Sequence, residues 1–167
     1  QHGVDSEYIT WLTIGPQPTD RTTLIPFLKE AEKYLNFKYS KIVADAGYES
    51  EENYLFLEKN GQISFIKPAN YEISKKRTYK NDIGRAENME YDEQKDCYVC
   101  RNGKELPLVH IRHTKSKNGY TSTKHIYQCK DCRDCPYKKE CIKGNNCKTP
   151  MEERNKVLSV AKTFLKY

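Results

Sequence analysis

The chain is poor in apolar residues, which are 37% of its 167 positions, and its mean hydropathy is −0.92. Any core it builds is therefore expected to be small for this length. No apolar run approaches the roughly 20 residues that a bilayer-spanning helix needs. The opening residues, Gln1-His2-Gly3-Val4, carry neither the basic nor the apolar region of a secretory leader. They also lack an initiator Met, so the chain is expected to be an excised piece. Charge of one sign is not in large excess: 29 Lys and Arg face 23 Asp and Glu, a net +6. That balance permits a nucleic-acid partner without demanding one. Cysteine is the exception to scarcity. There are seven, an odd number, with five between positions 129 and 147. Without a secretion signal, such clustering favours metal binding over disulfides.

A length of 167 residues fits one domain with a subdomain. The chain is organised around residues 41–48, Lys41-Ile42-Val43-Ala44-Asp45-Ala46-Gly47-Tyr48. Ile42, Val43 and Ala44 read as a short buried strand, Asp45 ends it, and Gly47 supplies a turn. In open α/β sheets, active sites collect at the carboxyl ends of strands. A carboxylate held there suits Mg²⁺, which takes oxygen ligands and commonly only one or two from protein. The plainer reading is that Asp45 terminates the strand or caps the next element. Both remain open at this level.

Around this centre the elements fall into an order. Val4, Tyr8-Ile9, Trp11-Leu12 and Ile14 flank Asp5-Ser6-Glu7, which suggests a hairpin. Leu24, Ile25, Leu28, Ala31 and Leu35 form a one-sided helical stripe, with Thr22 or Thr23 before it, Pro26 in its first turn and Asn36 after it. Ser50 caps a second helix through Tyr54, Leu55, Leu57 and Glu58, and Gly61 stops it. Ile63 to Ile66 is a strand ended by Pro68. The sequence strand, strand, helix, strand, helix, strand predicts an α/β layout with a mixed sheet.

Beyond Pro68 the pattern changes. Residues 69–88, centred on Lys75-Lys76-Arg77, show no periodicity and read as an exposed, mobile basic linker, its charges either simply solvated or contacting a nucleic-acid backbone. Residues 89–148 read as a cysteine-rich β-hairpin region. Met89 to Tyr91 and Tyr98-Val99 form one hairpin; Leu106 to Arg112 and Thr121 to Tyr127 form another around Asn118-Gly119. The second carries Arg112, His113, Lys115, Lys117 and Lys124, a positive face suited to phosphates or to discouraging edge aggregation. Residues 149–167 predict a helix opened by a capping box at Thr149, Pro150 and Glu152 and continued by Val157, Val160, Ala161, Phe164 and Leu165, running uncapped to Tyr167.

Cys129-x2-Cys132-x2-Cys135-x5-Cys141 is the strongest local motif, because thiolates so spaced can share a tetrahedral Zn²⁺. Cys97-x2-Cys100 upstream offers an alternative ribbon with Cys129 and Cys132. Free thiols and an iron–sulfur cluster are further readings, although Pro136 follows the third cysteine where a ferredoxin run would place Pro after the fourth. Bound metal would supply stability that few large apolar residues can give. His110, His113 and His125 read as strand surface.

The motifs Val43-Ala44-Asp45-Ala46-Gly47-Tyr48, Asn53-Tyr54-Leu55, Phe65-Ile66-Lys67-Pro68, Met89-x-Tyr91-Asp92, Cys100-x-x-Gly103-Lys104 and the Cys129 to Cys141 series resemble DDE-type transposases of bacterial insertion sequences. The nearest group carries a cysteine-bearing insertion. The resemblance covers nearly the whole chain. It implies an RNase H-like mixed sheet with flanking helices in residues 1–68, interrupted by a small β-rich, zinc-binding insertion that uses four of Cys100, Cys129, Cys132, Cys135 and Cys141, with the core resuming as a helix at 149–167. It assigns Asp45 the second acidic position of the catalytic triad, with Mg²⁺ as cofactor. It also implies DNA, in the form of insertion-sequence ends, as substrate, a homodimer, and a bacterial cytoplasmic, nucleoid-associated location without membrane contact. Lys75, Lys76, Arg77, Arg112, Lys115, Lys117 and Lys124 become the expected DNA contacts.

Two departures from that family pattern shape the expectation. The first core strand, with its catalytic Asp, would precede Gln1, and the catalytic Glu would follow Tyr167. Asp5 falls in a hairpin turn and does not fill the gap. One carboxylate cannot hold two Mg²⁺ ions in reactive geometry, so the fragment is expected to be inactive alone, and its sheet must re-pair, gape or borrow a strand. The competing hypothesis is a non-catalytic, zinc-ribbon-like nucleic-acid-binding module. An Asp45 enclosed in a closed pocket would defeat the catalytic reading.

Overall fold

The computed structural model describes residues 1–144 and 147–166, with Lys166 described by its backbone alone. Tyr167, where the expected last helix was to end, lies outside them. The chain divides into two compact units, one of residues 1–71 with 116–120, the other of 72–115 with 121–167.

In the first unit, β1 (His2–Asp5) and β2 (Tyr8–Leu12) form the expected antiparallel hairpin. Its turn residues Ser6 and Glu7 both have left-handed backbones, φ 48° and 73°, the geometry that matches strand twist in tight hairpins. Helix α1 (Leu24–Leu35) buries Leu24, Leu28 and Ala31 and ends at Asn36, whose left-handed φ of 55° lets its amide reach the Glu32 carbonyl. Next come β3 (Lys41–Ala44), α2 (Glu51–Lys59) and β4 (Ile63–Ile66), a parallel β–α–β unit in register from Lys41↔Ile63 to Ala44↔Ile66. Ser50 caps α2 by accepting from the Asn53 amide at 3.2 Å. The small core gathers Leu24, Leu28, Ala31, Ile42, Tyr54, Leu57 and Ile66. Asn53 is fully buried and donates from Nδ2 to the carbonyls of Tyr48 (2.7 Å) and Arg21 (3.1 Å), tying both loops to α2.

The element order is the expected one, but a single mixed sheet does not form among the described residues. The β1–β2 hairpin and the β3–β4 pair are separate two-stranded sheets. A cavity of about 420 Å³ lies between them, lined by His2, Gly3 and Val4 on one side and Ile42, Val43 and Ala44 on the other. Among the described residues neither β1 nor β3 has a second strand neighbour, and Val43 is 81% exposed.

The second unit corrects two expectations. The stretch 69–88 is not a structureless linker: it holds the single-turn helices α3 (Tyr71–Ser74) and α4 (Arg77–Lys80), and a 3-10 turn at Ala86–Asn88. Short polar side chains close these turns without any hydrophobic period. Asn88 Nδ2 donates to the carbonyls of Tyr79 and Asp82, and Asp82 accepts from the Gly84 amide and pairs with Lys143 Nζ at 2.7 Å.

The remaining strands, β5 (Glu90–Asp92), β6 (Cys97–Val99), β7 (Glu105–Lys115), β8 (Thr121–Gln128) and β9 (Val157–Val160), make one five-stranded antiparallel sheet in sequence order. The predicted C-terminal helix is therefore wrong at its centre. A 3-10 turn covers Met151–Glu153, and residues 157–160 are a strand paired to β8 from His125↔Val160 to Gln128↔Val157. The stripe Val157, Val160, Ala161, Phe164 fitted a helix only because it passed over Leu158. Leu158 and Val160, two apart, are the buried residues, while Val157 and Ser159 face out. Around Tyr98, Leu106, Tyr127, Cys129, Cys132, Ile142, Leu158 and Val160 the sheet closes its core.

Candidate functional site

Asp45 stands immediately after β3, which is fixed by its parallel ladder to β4 and by the Lys67 amide donating to the Ala44 carbonyl. Its side chain is exposed. Oδ1 accepts from the Gly47 amide at 2.8 Å, and the Tyr48 amide reaches the Asp45 carbonyl at 3.3 Å, so Asp45 caps the 3-10 turn Ala46–Tyr48. The cap and the presented carboxylate are thus the same residue. The closed pocket that would have defeated the catalytic reading is not there.

A second carboxylate lies near it. A Cβ placed on Gly47 would be 3.0 Å from Asp45 Oδ1 and 3.1 Å from Asp20 Oδ2, so both acids flank that glycine. Tyr48 registers them as well: burial first, then the Asp20 and Asp45 charges, push its phenol up. Sequence reasoning missed Asp20, which sits in a 3-10 turn with no strand or motif to single it out. Among the described residues, no three His, Cys, Asp or Glu side chains are set to hold a metal ion. Two acids beside one glycine fall short of a metal-binding triad. Asp5, at the end of β1, accepts from the Ser6 hydroxyl and takes no part.

The basic residues do not form one face. Lys75, Lys76 and Arg77 are exposed around the start of α4, with Lys75 3.4 Å from Glu72. On the long hairpin, Arg112 pairs in register with Lys124, whereas His113 lies opposite Thr123 and Lys115 opposite Thr121. Alternation puts Arg112 and Lys124 on one side of the ribbon, and His113 and Lys115 on the other. Lys117 belongs to the exposed turn beyond Lys115.

The cysteines are brought together more closely. Cys100, Cys129, Cys132, Cys135 and Cys141 line a single cavity of about 20 Å³, and no cysteine is in a disulfide. Cys97 does not line it; it is buried on β6 opposite Pro107, which removes the ribbon that paired Cys97 with Cys100. Cys147 is exposed, and hydrogen bonding from Thr149 lowers its thiol. Burial pushes Cys129 up to about 11 and raises Cys141 too. His110, His113 and His125 do not line the cavity.

Tight turns hold the thiols. The Cys129 amide donates to the Lys156 carbonyl (2.9 Å), the Cys132 amide to Asn155 Oδ1 (2.9 Å), and the Lys156 amide to Cys132 Sγ (3.3 Å). Asp134 takes a left-handed φ of 53° to turn the chain between Cys132 and Cys135. Cys100 opens a turn closed by the Gly103 amide on its carbonyl at 2.8 Å.

Comparison with known proteins adds one match. A family described as "Transposase DDE domain" fits residues 99–165. That segment holds the long hairpin, all five cavity cysteines and β9, amounts to less than half of the chain, and does not reach Asp45. No curated protein matches the chain, and no solved structure does. Among the described residues, no helix is long and apolar enough to cross a membrane.

Proposed function

We propose that this chain is a portion of a DDE transposase from a bacterial insertion sequence, cutting and joining DNA ends by two-metal phosphodiester chemistry in the cytoplasm. The family match over residues 99–165 supports a transposase. The observation that carries the catalytic reading is the exposed Asp45 carboxylate at the end of a β–α–β strand, with one oxygen fixed by the Gly47 amide.

In this reading Asp45 would hold a divalent cation, with its Oδ1 kept in place by the Gly47 amide. The carboxylate then keeps one orientation as substrate arrives, which is what electrostatic catalysis requires. Mg²⁺, when bound, would polarise the scissile phosphate and the attacking oxygen. Neither unit supplies the other acids of a triad among its described residues, so this chain alone is expected to cut nothing. In this reading the central strand of an RNase H-like core would enter the cavity between β1 and β3.

Arg112 and Lys124, directly opposed, repel one another. A phosphate backbone laid along that side of the ribbon would neutralise both. Lys115, on the other side of the ribbon, and Lys75, Lys76, Arg77 and Lys117 are separate expected DNA contacts in this proposal.

The test uses the complete reading frame. Asp45→Asn keeps the shape and the Gly47 hydrogen bond but loses the charge. It should abolish Mg²⁺-dependent strand cleavage while DNA retention on a gel is unchanged. An Asp45→Asn enzyme that still cleaves would remove Asp45 from the chemistry.

A further inference from the structure

The cluster of five thiols is the feature of the second unit that phosphodiester chemistry does not use. Five cysteines from three separate stretches of chain, 100, 129–135 and 141, line one cavity of about 20 Å³. That volume is about what one water-sized occupant needs. Cys129 and Cys132 are nearly inaccessible, at 2% and 7% exposed. None of the five is in a disulfide.

We propose that this cavity is a structural Zn²⁺ site in which Cys129 and Cys132 are the fixed pair and two of Cys100, Cys135 and Cys141 complete a tetrahedron. Three arguments carry it. The donor set is all sulfur, which selects Zn²⁺ over the Mg²⁺ that suits carboxylates. The backbone is already arranged as such sites are: the Lys156 amide donates to Cys132 Sγ at 3.3 Å, a hydrogen bond to the ligand atom that orients it and stabilises its thiolate.

The charge also fits. Four thiolates around Zn²⁺ leave two negative charges, and Arg101, Lys104, Lys138 and Lys156 line the same cavity. Lys104 and Lys156 meanwhile bind the carbonyls of Asp131 (2.7 Å) and Cys141 (3.0 Å), pinning the loops that carry the ligands. Among the described residues no three such side chains are yet set to hold a metal ion, so the thiols must turn inward to bind one. Each has a single side-chain torsion to turn, and staggered wells about it move sulfur without moving backbone. Metal binding releases the thiol protons to solvent, one from each ligand, with no redox step.

The experiment reads metal and not DNA, so it stands or falls separately from the transposase reading. The purified chain under reducing conditions is titrated with Co²⁺ and then Zn²⁺. One Co²⁺ per chain should give the sulfur-to-metal charge-transfer band of a tetrahedral thiolate site, and Zn²⁺ should displace it. Counting reactive thiols in the unaltered chain with and without Zn²⁺ should show four becoming protected; this readout does not depend on any variant folding. Cys97→Ser and Cys147→Ser should keep the band; Cys129→Ser and Cys132→Ser should lose it. A chain without a Co²⁺ band, with all thiols equally reactive in Zn²⁺, or isolated with iron–sulfur absorbance would overturn the proposal. So would a band that survives Cys129→Ser and Cys132→Ser together.

Discussion

The two units are built from similar short strands, yet one closes its sheet and the other leaves it in pieces. In the second unit every strand pairs with its neighbour in sequence, β5 through β9. Tight turns at Asp96 (φ 47°) and Gly119 (φ 87°) close β5–β6 and β7–β8 locally, whereas β9 returns to β8 across residues 129–156. In the first unit the β1–β2 hairpin is equally local, but joining it to β3 requires a partner that these residues do not provide. Its apolar residues show the consequence: Ile9 is 69% exposed, Ile14 94% and Val43 81%. Exposed apolar surface on that scale marks a region meant to be covered. The lesson is that closure is a property of connectivity before it is one of composition.

The contrast can be tested because the probes separate. Trp11, the only tryptophan, lies in the first unit, while the tilted and edge-to-face rings of Tyr91, Tyr98 and Tyr127 lie in the second. The largest effect is expected for Leu106→Ala, which empties a fully buried position in the closed sheet. It should cost about 3 kcal/mol, read as a lower denaturant midpoint in tyrosine near-UV circular dichroism. The Trp11 fluorescence transition should stay in place. If both probes shift equally, the units do not unfold separately and the comparison is void.

A smaller effect sharpens why the second unit is closed. Asp96 Oδ1 accepts from the hydroxyls of Tyr91 (2.6 Å) and Tyr127 (2.7 Å) and from Lys162 Nζ (2.8 Å), so one carboxylate fastens β5, β8 and the segment after β9. The Lys162 hydrogen bond foremost, then the two hydroxyls, hold this carboxyl well below the usual carboxylate range against the opposing pull of burial. A depressed native value means that the stabilisation is complete above the unfolded value near about 3.9. It is lost as pH falls through the lower native one. Asp96→Asn should therefore cost about 1 kcal/mol at neutral pH, since the groups are partly exposed and screened. Its midpoint should stay apart from the parent's down to about pH 4 and converge on it only below that. A gap that widens in acid would contradict the assignment.

The smallest effect belongs to the open unit. Val43→Ser, on the uncovered strand, should move the Trp11 midpoint by less than about 0.5 kcal/mol. A loss beyond about 1 kcal/mol would show that β3 is covered in solution, and the contrast between the units would then fail.

Much of the fold is legible in the residues alone. The first hairpin, α1 with its Asn36 stop, the β3–α2–β4 order and both later hairpins come from period, caps and turn residues. Asp45 at a strand end is legible for the same reason. Other features are not. Residues 157–160 satisfy a helical stripe and a strand alternation equally, and pairing with β8 decides between them. The short helices at 71–80 arise from side chain–backbone bonds that leave no hydrophobic period. Asp20 comes near Asp45 only through the fold, and the basic hairpin residues divide between two faces once register is known.

Residue order alone fixes the local elements and the chemistry available: a carboxylate after a stiff strand, and thiols spaced for shared ligation. Local rules suffice there, because caps, turns and side-chain periods act over a few residues. Tertiary structure alone decided which thiols meet, leaving Cys97 out and gathering Cys100 with Cys129, Cys132, Cys135 and Cys141. It also decided that the first unit stays open. Both outcomes depend on which distant strands find hydrogen-bonding partners, and no short stretch of residues carries that information.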